Sequence, residues 1–141
     1  MKATSFQASA VASLLAVTAN AWALSPIERG RVEYEHQCAS CHGTTARGDG
    51  PLRPFLTRAP SDLTTLAQRH GGKLPEQQLR QMIDGRAMTE PGPHGTREMP
   101  VWGQRFREEA QETRMGRWMP ERQVRQRLDT LIAYLESLQV K

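Results

Sequence analysis

Cys38-Ala39-Ser40-Cys41-His42 is the stretch from which every other reading of this chain proceeds. Two thiols three positions apart, followed at once by an imidazole, form the pattern of a c-type haem attachment site. The sulfurs add to the two vinyl groups on one edge of a porphyrin, and the histidine reaches the iron as proximal ligand. Other uses of paired cysteines compete: a structural disulfide, a redox Cys-x-x-Cys of thioredoxin type, or half of a zinc site. The chain contains only 2 cysteines, so no second pair completes four zinc ligands. No βαβ pattern surrounds the motif, and the rivals do not require a histidine directly after the second cysteine. The expectation is one haem c, covalently attached through Cys38 and Cys41, with His42 on the iron.

Working upstream, Ser25-Pro26-Ile27-Glu28 is helix punctuation. Serine stands at the N-cap, proline at the first helical position, and glutamate three residues after the serine completes a capping box. The pattern predicts a helix over residues 26–39. Ile27, Gly30 and Tyr34 share a face of it. A mid-helix glycine costs ~1 kcal/mol against alanine, so a neighbour is expected to press against that face. Residues 1–23 read as a secretory signal, with Lys2, an apolar stretch over 8–19 and the Ala21-Trp22-Ala23 cleavage pattern. That stretch is shorter than the ~20 apolar residues of a membrane span, and no later stretch is apolar enough to be one. The expected organisation is a signal peptide over 1–23 and one domain over 24–141, soluble in a periplasm-like compartment.

The formal charge of +4 falls by one with loss of Lys2. With no basic stripe interleaved with aromatics, nothing points to nucleic acid. Aromatic residues make up only 6% of the chain, so the polypeptide has little apolar surface of its own to bury. The haem is expected to complete the core.

Downstream of the motif, residues 43–60 are rich in Gly, Pro and Thr and read as a loop wrapping one side of the haem. Within it Arg47, Arg53 and Arg58 offer guanidinium groups to a propionate. A helix is expected from Asp62 or Leu63 to His70. Another is expected from Pro75 to Gly85, with Leu79, Met82 and Ile83 inward. Between Gly85 and Gly103 a proline-stiffened loop holds Met88, His94 and Met99. A thioether is a weak iron ligand best carried by backbone that needs no helical hydrogen bonds, and Met99-Pro100 has that setting. His94 would instead give bis-histidine iron at lower potential, and Met88 is a third choice. After Phe106, the charged run over 107–117 reads as a solvated helical stretch, with Met115, Trp118 and Met119 near its end. Pro120-Glu121 then opens a last helix whose Val124, Leu128, Leu131, Leu135 and Leu138 form a core stripe. Ile132 and Tyr134 widen the stripe towards the first helix, and Arg122, Arg125 and Arg127 fall on the polar side. A coiled-coil dimer needs more heptads than are present.

Gly30 with Tyr34, residues 38–43, Gly48-Asp49-Gly50-Pro51 and Met99-Pro100-Val101-Trp102-Gly103 together resemble the class I (monohaem) c-type cytochromes over most of residues 24–141. The resemblance implies an all-α class I cytochrome c fold, with N- and C-terminal helices packed together around one covalently bound haem. It further implies that Gly30 admits Tyr134, that the Pro51 carbonyl holds Nδ1 of His42, and that Met99 is the sixth ligand. Trp102 is expected against the haem or its propionate edge. With both axial positions filled, and no acid, base or nucleophile aimed at a substrate, the expected function is one-electron transfer rather than catalysis. A monomer docking transiently on donor and acceptor proteins is expected. Two readings remain beside it: the haem subunit of a dedicated oxidoreductase, and a sensor or peroxidase-like protein in which Met99 yields to a small ligand.

Overall fold

Helices and loops account for all of the described chain. The computed structural model describes residues 24–86, 99–112 and 119–140, with Met119 described in its backbone alone. The expected signal peptide, Met88, His94, Met115 and Trp118 lie outside the described residues. Among the described residues six helices occur in the order α1 (Pro26–Gln37), α2 (Ala39–His42), α3 (Leu66–Arg69), α4 (Glu76–Asp84), α5 (Trp102–Glu112) and α6 (Met119–Ser137), with a 3-10 turn at Arg53–Phe55 after α2. Among the described residues there is no strand, so the all-α expectation holds.

The start of α1 follows from its first four residues. Ser25 Oγ accepts the Glu28 amide at 3.2 Å, and the Glu28 carboxylate accepts the Ser25 amide at 2.8 Å, with Pro26 inside the first turn. This capping box satisfies two donors that the helix itself cannot. The helix does not run through to Ala39. It ends on Cys38, whose N–H still bonds the Tyr34 carbonyl at 2.8 Å. The Cys38 carbonyl then accepts from both Cys41 (3.1 Å) and His42 (2.9 Å), which starts α2. The haem motif therefore sits on a separate short turn, not on the tail of a longer helix.

α1 crosses α6, the most extensive helix pair among the described residues, and the crossing is set by Gly30. A β-carbon there would lie 1.9 Å from the Thr130 carbonyl oxygen and 2.8 Å from Tyr134 Cβ. Only a bare backbone lets the two helices come this close. Next to it, the Tyr34 and Tyr134 rings pack with centroids 5.4 Å apart. Tyr34 is fully buried, and its hydroxyl donates to the Gly43 carbonyl at 2.7 Å, tying the crossing to the end of the haem motif. Burial pushes the Tyr34 phenol upward, so it stays a donor. Ile27, expected on the same face, is 47% exposed because α6 crosses further along.

The α6 stripe packs as expected: Val124, Leu128, Leu131, Ile132, Tyr134 and Leu135 are buried, and Leu138 is partly buried at its edge. α5 differs from the reading of its sequence. It begins at Trp102, so Trp102, Phe106 and Ala110 make a buried stripe through residues that look wholly charged. Arg127 differs too. It leaves the polar face and inserts between α1 and α5, donating to Glu33 at 2.7 and 2.9 Å and to Glu109 at 2.6 Å. Its guanidinium lies 3.9 Å from the Phe106 ring centroid.

α3 is shorter than expected because Asp62 Oδ1 takes the amide and hydroxyl of Thr64 (2.8 and 2.6 Å), a local turn that competes with helix. The chain end holds this region in place. Gln139 Oε1 accepts the Ala67 amide and its Nε2 donates to the Leu63 carbonyl, each at 2.8 Å. α4 ends on left-handed Gly85 as expected, with Leu79 and Ile83 buried and Met82 only partly so. No helix among the described residues is long and apolar enough to cross a membrane.

Candidate haem site

Three segments meet at one cavity of about 420 Å³, within the range of cofactor pockets. α2 and its N-cap contribute Cys38, Cys41 and His42; the loop after it contributes Leu52, Leu56, Arg58, Pro60 and Ser61; α5 and the residues just before it contribute Met99, Pro100, Trp102 and Arg105. The structure thus brings Cys38, Cys41, His42, Met99 and Trp102 onto one cavity, and of the three loop arginines it brings Arg58. Pro51 is exposed and is not among the lining residues.

The loop is shaped by α2's unpaired carbonyls. A four-residue helix leaves its last C=O groups without internal donors. Leu52, Gly50 and Gly48 supply them, bonding Ser40 (2.9 Å), Cys41 (3.1 Å) and His42 (2.8 Å). This commits the residues on both sides of Pro51 to the α2 backbone. The Leu63 amide then closes the loop on the Ala46 carbonyl at 2.8 Å and carries Ser61 to the imidazole. The carbonyl at His42 Nδ1 is accordingly that of Ser61, at 3.2 Å, and not that of Pro51. A carbonyl only accepts, so the contact selects the Nδ1–H tautomer and leaves Nε2 the lone pair that a metal ligand needs.

Cys38 and Cys41 are free, partly buried thiols. Burial pushes Cys38 up to about 12, with Glu33 and Cys41 adding to the shift. A redox Cys-x-x-Cys needs the opposite, a thiolate stabilised below the ordinary value. Among the described residues, no group of three or more His, Cys, Asp and Glu side chains could hold a metal ion.

Met99 is half-buried and packs on the edge of the hydrophobic core while lining the cavity. Trp102 is 6% exposed. Its ring lies 6.0 Å from that of Phe106, with the Arg105 guanidinium 5.4 Å over it. The residues present fit a haem. Two thiols lie beside an imidazole with an oriented lone pair. Apolar walls suit a large planar ring, and Arg58 and Arg105 suit its carboxylates. Ser61 and Arg105 are site residues that the sequence reading missed. Ser61 carries no local signal, since loop closure alone delivers it. Arg105 stands three residues after Trp102, and a helix started at Trp102 would have placed the two on neighbouring positions.

A family model described as Cytochrome c matches residues 27–139. No curated protein and no solved structure matches the chain.

Proposed function

The chain belongs to the cytochrome c family, whose members bind haem c covalently and transfer electrons, and on that premise we propose that it is an exported, periplasmic one-electron carrier with His42 and Met99 as axial ligands. Bound haem supplies a one-electron Fe(III)/Fe(II) couple. The chain's own residues do the rest. Cys38 and Cys41 would hold the haem covalently, and the Ser61 carbonyl holds the His42 ring in the tautomer that a metal ligand needs. The Met99 thioether would be the second protein ligand to the iron, and Trp102 would close a wall of the site. The Arg58 and Arg105 guanidinium groups compensate the propionate charge. A thioether ligand favours the reduced state, so a fairly positive potential is expected. Electrons enter and leave by small, transient contacts of a monomer with donor and acceptor proteins. In this reading the protein is not an enzyme, and residues 1–23 are a signal peptide removed after Ala23.

The observation that carries the proposal is a single cavity bearing two thiols, an Nδ1-anchored imidazole and a thioether. Spectra of the oxidised and reduced protein, with and without CO, test it. The oxidised form is expected to show a weak far-red sulfur-to-iron charge-transfer band that Met99→Ala abolishes. Rapid CO binding by the unaltered ferrous protein would instead favour the sensor or peroxidase-like reading.

A further inference from the structure

At the end of α4 the Asp84-Gly85-Arg86 corner lies against the start of α5. There the Arg86 guanidinium forks between two carboxylates. Nε and Nη2 donate to Asp84 at 2.6 and 3.0 Å, while Nη1 and Nη2 donate to Glu121, in the first turn of α6, at 2.8 and 3.2 Å. The Arg86 and Asp84 side chains are 23% and 25% exposed, so this is not a loose surface pair. It is seated on bare backbone: a β-carbon at Gly103 would lie 1.9 Å from Asp84 Oδ1 and 2.7 Å from Arg86 Nε. Val101 packs alongside, its Cγ1 3.3 Å from where a β-carbon of Gly85 would stand. The Met99-Pro100-Val101-Trp102 segment is therefore anchored from α4 and α6 just where it enters α5.

We infer that Arg86 is the positioning residue for the Met99 thioether: its two-carboxylate clasp, seated on Gly103, sets where the α5 start stands and so where Met99 enters the cavity. The inference rests on the reading of Met99 as an iron ligand. A thioether binds iron weakly, so the bond depends on backbone that holds the sulfur in place beforehand. Arginine suits the task because one planar fork serves two carboxylates at once, which a lysine ammonium does not.

The test uses the holoprotein and compares Arg86→Gln with Arg80→Gln, which removes a different α4–α6 ion pair, to Asp129, away from Gly103. Two readouts report on the thioether: loss of the far-red band on heating the oxidised protein, and the rate of CO binding to the ferrous protein. Arg86→Gln is expected to lose the band at a lower temperature than either the unaltered protein or Arg80→Gln. It is also expected to bind CO at least about tenfold faster, as an increased population with Met99 displaced requires. Arg86→Lys should fall between. Should Arg86→Gln yield too little holoprotein, Asp84→Asn carries the same comparison, since it keeps the shape and removes one charge of the clasp. Band and CO rate unchanged in these variants would overturn the inference, whatever happens to the unfolding midpoint. An unaltered protein without the band, or a band that survives Met99→Ala, would overturn the ligand reading itself instead.

Discussion

Gly30 is the residue on which the helix crossing depends. Its missing side chain admits the Thr130 carbonyl, and backbone cannot step aside as a flexible side chain can. Gly30→Ala is expected to destabilise the holoprotein by about 1–3 kcal/mol or more, read as a lower denaturation midpoint, with the haem spectrum retained. The glycine was legible as a contact point because it interrupts a well-capped helix at a cost. Ile27, which shares its face in projection, was not legible as exposed. Helical spacing says which residues face one way, but not how far along the helix the partner extends. The same limit explains Pro51 and Ser61. A carbonyl acceptor for His42 is demanded by ligand chemistry, whereas its position depends on how the loop pairs with α2.

Arg127 holds three elements together, and charge patterning on α6 alone assigns it to solvent. Burial disfavours its charge, but the hydrogen bonds it donates to Glu33 and Glu109 more than offset this and push the guanidinium pKa upward overall. Arg127→Gln would leave Glu33, only 15% exposed in its side chain, without its principal counter-charge. The expected loss is about 3 kcal/mol, measured by denaturant unfolding. Combining it with Glu33→Gln should cost less than the sum of the single changes. At the α4 corner, hydrogen bonds from Arg86 hold the Asp84 and Glu121 carboxyls below their ordinary values, with Arg107 also near Glu121. As pH falls the unfolded chain takes up these protons first. The stability they contribute is therefore full above the ordinary carboxylate range and is lost as pH falls below about 4.5. Arg86→Gln should flatten that acid limb in a plot of unfolding midpoint against pH. The α5 stripe of Trp102, Phe106 and Ala110 was hidden for a related reason: five charged side chains share the helix, and only its starting point reveals the phase.

Across the whole molecule, the core of α1, α5 and α6 borders a cavity of about 420 Å³. Without haem, the apolar side chains that line this space and border the core would face water, and the burial that the cofactor adds would be lost, in a chain whose net stability is a small difference between large terms. A haem-free Cys38→Ser, Cys41→Ser double variant is accordingly expected to be unfolded or molten, with no cooperative thermal transition; sharp, native-like melting would contradict this. Local and short-range information was enough for much of the protein. The cysteine–histidine motif, the capping box, the last-helix stripe and the glycine stop of α4 each depend on residues within a turn or two of one another, so the chain alone determined the helical class and the tethering chemistry. The acceptor on His42, the burial of Arg127 and the seat of Arg86 on Gly103 join segments 19 or more positions apart in two of these cases and 17 in the third. Only packing decided them, because hydrogen-bond satisfaction and steric fit between distant segments are properties of the assembled backbone and not of any window of sequence.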